Sequence, residues 1–228
     1  GKTYLYKALS DPSQANIAKK ILYKANLERK SKRLPELDCR LKFIDILSFN
    51  EDGDKSFDFR NINFSSIEEP EYYFNSFWQI HTWISVLLDP EFSSIRESSA
   101  LSEYITPIKG AEAVRRFHKL ITAGINTLIT IEEDFTRINE YLKDNNIKLF
   151  LMYDQLDTRI NPIYWGKAVS PLIAYWRENY TVNSNIIPKI FVRTDLYRRI
   201  EGTNKERLKD NIISIEWSIE EVFAYFFK

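Results

Sequence analysis

The chain is poor in the residues that mark out several protein classes. Its 228 residues hold one cysteine, Cys39, so no internal disulfide can form and a reducing compartment is expected. Cys39 stands beside Arg40 with no evident histidine partner, which makes it an ordinary core or edge residue rather than a nucleophile. The two histidines, His81 and His118, have no partner at a ligand spacing such as H-x-x-x-H, and a zinc site is not expected. No G-x-S-x-G elbow occurs, so nucleophilic hydrolase chemistry has no support. The best apolar run, Ile84-Ser85-Val86-Leu87-Leu88, is far short of the roughly 20 residues of a membrane-spanning helix. The chain does not open on a basic start followed by an apolar stretch, so no signal peptide is expected and a cytoplasmic location is the default. Neither sign of charge is in excess: 32 Lys+Arg face 32 Asp+Glu, and no global field draws the chain to nucleic acid or an anionic membrane. Internal repeats and low-complexity segments are absent as well.

What is present is apolar. A hydrophobic content of 44% with 14% aromatics suffices for one sizeable core and a small subdomain. Helical spacing runs through 4–9 and, after the break at Asp11-Pro12-Ser13, through Ile17, Ala18, Ile21, Leu22 and Ala25. Residues 40–49 predict a strand closed by the turn-rich Asn50-Glu51-Asp52-Gly53-Asp54. Residues 72–88 predict a helix apolar over much of its circumference and therefore buried in a helical layer, stopped by Asp89-Pro90. A polar loop or frayed helix at 93–102 follows, then helices at about 110–123 and 125–143. Near-continuous apolar runs at 147–153 and 186–192 suit strands buried on both faces of a parallel sheet. Between them, 164–180 predicts a helix with Trp165, Val169, Leu172, Ile173 and Trp176 on its apolar side. A short strand at 212–215 and a closing amphipathic helix at 219–227 complete the series. The alternation predicts an α/β fold, a parallel sheet with helices on both faces, carrying a helical insertion at about 65–125.

Gly1-Lys2-Thr3 forms the last part of the phosphate-binding pattern G-x-x-x-x-G-K-[ST]. In the complete loop, backbone N–H groups wrap the phosphates, the Lys reaches the outer ones, and the Ser/Thr hydroxyl holds Mg²⁺. The first Gly, the four spacers and the preceding strand are not in the sequence. The reading therefore expects 1–228 to be an N-terminally truncated core with a gap in its sheet, and poor nucleotide binding by the chain as it stands. Downstream, the run Leu149-Phe150-Leu151-Met152-Tyr153 ends in Asp154, a carboxylate facing the crevice where ligands of open α/β sheets bind.

With these motifs the chain resembles the P-loop ATPases of the additional-strand division, in particular the STAND and KAP-like groups related to AAA+ proteins. The resemblance rests on Asp154-Gln155-Leu156-Asp157 after an apolar strand, on Phe191-Val192-Arg193-Thr194-Asp195, and on the apolar, acidic stretch Glu216-Trp217-Ser218-Ile219-Glu220-Glu221-Val222-Phe223. It implies ATP and Mg²⁺ as ligands. Gly1, Lys2 and Thr3 would cradle the nucleotide, Lys2 on the β- and γ-phosphates and Thr3 on Mg²⁺. Asp154 would support that Mg²⁺ and Arg193 would sense the γ-phosphate. The departure lies at Gln155, where this division commonly has an acidic residue that polarises the attacking water. An amide orients water without accepting its proton, so hydrolysis is expected to be slow or to rely on Asp157. Slow turnover suits a regulatory switch or motor acting on a protein partner or an attached effector domain.

Two readings of other classes stand beside this one. In the first, the fold is a non-enzymatic protein-interaction module whose aromatic block around 72–88 docks a partner. In the second, Asp154 and Asp157 ligate metal in a phosphodiesterase. A nucleic-acid contact would need the basic clusters Arg29-Lys30-Ser31-Lys32-Arg33, Arg115-Arg116 and Arg198-Arg199 on one face. They read instead as solvated helix ends, and those near Arg29 complement a helix C-terminus. Trp217 reads as a packing residue.

Overall fold

The computed structural model describes residues 15–46, 70–105, 111–179, 181–200 and 211–214. Gly1, Lys2, Thr3, Trp217 and the helices expected at 4–9 and 219–227 lie outside the described residues. The elements run α1 (Ala15–Ser31), β1 (Arg40–Asp45), α2 (Pro70–Leu87), α3 (Ser93–Ser98), α4 (Ala111–Thr122), α5 (Ile125–Asp144), β2 (Ile147–Tyr153), α6 (Leu156–Arg159), α7 (Trp165–Asn179), β3 (Ile186–Ile190) and α8 (Thr194–Tyr197). Single 3₁₀ turns at Pro90–Phe92 and Ser102–Tyr104 flank α3. The fold is α/β: a three-stranded, all-parallel sheet in the order β1-β2-β3, with several helices.

Burial sets this arrangement. Leu149, Leu151 and Tyr153 of β2 are fully buried on one sheet face, beside Ile44 of β1 and Ile186 of β3. They share one core with Phe74, Phe77 and Trp78 of α2, with Ile131, Phe135 and Ile138 of α5, and with Val169, Leu172 and Trp176 of α7. On the other face Met152 is covered by Phe43, Phe150 and Phe191, with Phe43 stacked on Phe150 at 5.1 Å. β2 therefore needs apolar residues at almost every position, because both of its faces are covered.

Helix α2 is the central one and packs against α7, α4 and α5. Its aromatic residues are spent on the core, since Tyr73, Phe74, Phe77, Trp78 and Trp83 are buried and only Tyr72 is exposed. A docking surface built from these rings is not available. The buried polar atoms around them are bonded, as they must be away from water. Trp83 Nε1 and Ser99 Oγ both donate to Asp134 Oδ2, at 2.9 and 2.6 Å, and Arg137 donates to Asp134 Oδ1 at 3.0 Å. That one carboxylate ties α2, α5 and the turn after α3 together. Asp89, as expected, ends this stretch of helix; its side chain accepts from Glu91 N at 3.0 Å and caps the next turn.

Several boundaries differ from the sequence expectation. The strand expected at 40–49 is assigned to Arg40–Asp45 and the one at 186–192 to Ile186–Ile190. The region 93–102 holds a six-residue helix, and the link after β3 holds α8. Of the strand expected at 212–215, residues 212–214 are exposed, Ile213 at 82%, with no ladder to any described strand, and Ile215 lies outside the described residues. An apolar pair without a neighbouring strand gains nothing from extended pairing. At the basic end of α1, Lys32 pairs with Glu28 at 2.7 Å and Arg29 donates to Pro35 O at 2.6 Å, the solvated helix end that was expected.

β3 closes one side of the sheet among the described residues. Leu149 N donates to Asn185 O and Phe191 N to Tyr153 O. Because parallel strands point alternate residues to alternate neighbours, 185, 187, 189 and 191 face β2 and 186, 188 and 190 face outward. Pro188, in register with Leu151, thus turns its N–H-less nitrogen to the open side.

Candidate functional site

The candidate site lies at the carboxyl ends of β2 and β3, where a parallel sheet concentrates its ligand-binding loops. β2 ends in Tyr153, whose hydroxyl accepts from Trp176 Nε1 at 2.9 Å and lies 2.7 Å from Thr82 Oγ1. Burial pushes this phenol far above its usual range, so it is a neutral, hydrogen-bonded member of the core rather than an acid. The next residue, Asp154, is buried, at 8% exposure. The chain then turns sharply. Gln155 adopts φ 60° and ψ 22°, a left-handed conformation that a side chain other than glycine adopts at a cost of about 1–2 kcal/mol. Thr158 N and Oγ1 both donate to Gln155 O, at 3.0 and 2.9 Å, and fasten the first turn of α6. Asp157 sits in that turn.

From the neighbouring strand, Phe191 N continues the pairing to Tyr153 O at 2.9 Å, and the extended Arg193 leads into α8. Arg193 grips Asp195 with two bonds, Nε to Oδ1 at 3.1 Å and Nη2 to Oδ2 at 3.0 Å. Its Nη1 lies 3.6 Å from Asp157 Oδ2. The Asp195 hydrogen bond and charge, with Asp157 adding less, raise the guanidinium pKa, and the Arg193 bond lowers that of Asp195. The pair is exposed and screened, so it orients the guanidinium more than it stabilises the fold.

Between these elements lies a cavity of about 270 Å³, walled by Asp154, Gln155, Asp157, Trp165 and Arg193, with Leu196 among its apolar residues. Its volume falls just below the range of about 300–1,000 Å³ of small-molecule pockets. Formally, three carboxylates face one guanidinium at or beside it. A bare anion is disfavoured there, and an anion accompanied by a divalent cation is matched.

No family model, curated protein or solved structure matches the chain.

Of the residues singled out in the sequence, Asp154, Gln155, Asp157 and Arg193 come together at this one cavity, while Gly1, Lys2 and Thr3 lie outside the described residues. Asp154 and Asp157 are the side chains there that can hold a metal. Among the described residues no group of three or more His, Cys, Asp or Glu side chains is arranged for one. An ion at Asp154 would complete its shell with water and ligand oxygens, as Mg²⁺ habitually does. Trp165 was missed as a site residue. Its place at the start of the helix after the β2 turn was the available signal, and its apolar neighbours masked it.

The remaining candidates of the sequence fall elsewhere. Burial pushes the Cys39 thiol up, away from the thiolate a nucleophile needs. His118 is exposed on α4. Among the described residues no helix is long and apolar enough to cross a membrane.

Proposed function

We propose that the cavity between Asp154 and Arg193 receives the terminal phosphates of Mg-ATP, and that the chain is the nucleotide-binding core of a slow ATPase switch related to the additional-strand P-loop proteins. One observation supports this above the others: a buried carboxylate ending one parallel strand and an arginine just beyond the end of its neighbour wall a single cavity. In-line attack of water on a γ-phosphate needs positive charge on the equatorial oxygens and a held water, and little covalent chemistry from the protein. In this reading Lys2 contacts the β- and γ-phosphates and Thr3 the metal. Asp154 anchors the metal's water shell, and bound Mg²⁺ neutralises charge on the phosphate oxygens. Arg193 swings from Asp195 to the γ-phosphate. Gln155 orients the water, and Asp157, 3.6 Å from Arg193, takes up its proton only once that contact opens. A strand entering the phosphate loop beside β3 would meet no N–H at Pro188.

The test is thermal unfolding of the full-length protein with and without Mg-ATP. A ligand at 100 times its dissociation constant adds about 2.7 kcal/mol, or about 5–10 °C for a chain of this size. That shift should vanish without Mg²⁺, in Lys2→Ala and in Asp154→Asn, and Arg193→Ala should keep binding but slow hydrolysis. An Mg-ATP response unchanged in Lys2→Ala and Asp154→Asn would sink the proposal.

A further inference from the structure

Helix α1 carries a charge asymmetry that the chain as a whole does not. Residues 15–34 hold seven Lys and Arg and one acid, Glu28, so the rest of this neutral chain carries the matching excess of acid. Part of the positive charge is used at the end of the helix, where Lys32 pairs with Glu28 at 2.7 Å and Arg29 donates to Pro35 O at 2.6 Å. The segment that follows is fastened back on α1, with Leu37 N donating to Asn26 Oδ1 at 2.7 Å and Asn26 Nδ2 to Leu37 O at 2.9 Å. Four lysines remain, Lys19, Lys20, Lys24 and Lys30. All are exposed, and none is in an ion pair among the described residues.

The sequence shows these lysines as scattered residues, and the helix collects them. At about 100° per residue, the positions around α1 run Lys19, Lys30, Tyr23, Leu27, Lys20 and Lys24 over an arc of about 140°. All six are exposed, Tyr23 at 65% and Leu27 at 50%. Glu28 falls outside the arc. Ala18, Leu22, Ala25 and Arg29 fall on the other side and are half-buried, the side turned to the protein in a helix that packs against β1. From Lys19 to Lys30 the arc rises about 16 Å along the helix axis.

Such a row matches a phosphate backbone. Lysines bind phosphates as point charges, and a protruding aromatic ring offers a face for an unstacked base. A membrane surface fits less well, because an interfacial helix needs an apolar face clear of charge. Here Tyr23 and Leu27 stand between lysines, and the apolar Ala18, Leu22 and Ala25 are turned to the protein. Bases in a duplex are already stacked on one another and leave Tyr23 no face. We propose that this arc of α1 binds single-stranded nucleic acid, with the four lysines on its phosphates and Tyr23 stacked on a base. No arginine lies on the arc to read base edges, so binding is indifferent to sequence. The surface is independent of the cavity, none of whose walls comes from α1.

The test follows the fluorescence anisotropy of a labelled oligo(dT) of about 20 nucleotides with the full-length protein, between about 50 and 200 mM salt. Four phosphate contacts give a slope of log affinity on log salt of about −3. Lys20→Gln combined with Lys24→Gln should make the slope shallower by about 1.4. Tyr23→Ala should weaken binding about tenfold, and Tyr23→Phe should keep it. Because these positions are exposed, melting temperatures should not move, which separates a lost contact from a lost fold. No binding at the lowest salt, or binding unchanged in the double lysine variant, overturns the proposal. So does equal affinity for a duplex of the same length, or a Tyr23→Ala variant that binds like the wild type, since either removes the stacked base. Binding to phosphatidylserine vesicles in place of the oligonucleotide would give the arc to a membrane surface and overturn it too. Should the lysine variants not fold, an oligonucleotide carrying 5-iodouracil is crosslinked by light to the wild type. The crosslink must fall on α1, and one outside α1 defeats the proposal.

Discussion

His81 shows at the scale of one residue how burial becomes a pH response. It is packed in α2 against Phe77 and Trp78, at ring distances of 5.7 and 6.4 Å, and burial pushes its pKa down to about 4. In the unfolded chain it titrates near 6.5. Between those values the unfolded state binds the extra proton, so stability is full above about pH 6.5 and falls as the pH drops toward 4. The slope reaches about 1.4 kcal/mol per pH unit, on the order of 3 kcal/mol across the window. Urea unfolding between pH 8 and 4 measures it, and His81→Leu should flatten the slope by close to one proton; an unchanged slope would refute the assignment. Apart from its apolar neighbours, nothing in one dimension marked this histidine's state. The sequence did mark Asp154 and Arg193, because an apolar run that stops at a polar residue is visible in one dimension. It hid Trp165, because which side chains wall a cavity is decided only in three.

Among elements, α7 and the turn after α8 approach each other closely at Gly166. Replacing Gly166 by Ala in a helix would ordinarily gain about 1 kcal/mol from propensity. Here the added methyl meets the Arg199 carbonyl at 2.9 Å, and a backbone atom cannot step aside cheaply. Overpacking should win, and Gly166→Ala should lose about 1–3 kcal/mol in chemical denaturation. A stabilised variant would show that this turn yields freely. The main helices were legible because their apolar periods are long: α2, α5 and α7 lie close to their expected positions. The described residues 212–214 of the expected strand at 212–215 form no ladder for the converse reason, since a short apolar run takes its state from a neighbour that the sequence does not name.

For the molecule as a whole, periodicity indicated α/β layering and parallel strands, but strand order and the use of the aromatic helix came only from packing. The sequence reads about 65–125 as a helical insertion. In the structure α2, which falls within it, shares its core with β2 and α7, because those rings cover the face of β2 that carries Leu149, Leu151 and Tyr153. The cavity depends on the same packing, since Asp154 and Arg193 meet only if β2 and β3 are neighbours and point the same way.

The nitrogen of Pro188 carries a consequence beyond the fold, for how copies of this chain behave toward one another at high concentration. Of the outward-facing positions on β3, Ile186 already donates to Asn183 O at 2.8 Å and Pro188 donates nothing, so Ile190 is left with the outward N–H. Such a rim is a poor template for a foreign strand, a device against aggregation. Pro188→Val would restore the missing donor and supply a residue that favours extended pairing. The variant should form concentration-dependent oligomers or fibrous aggregates, seen by light scattering and thioflavin fluorescence, while the parent stays dispersed. A variant that remains monomeric would mean that another strand already occupies that rim.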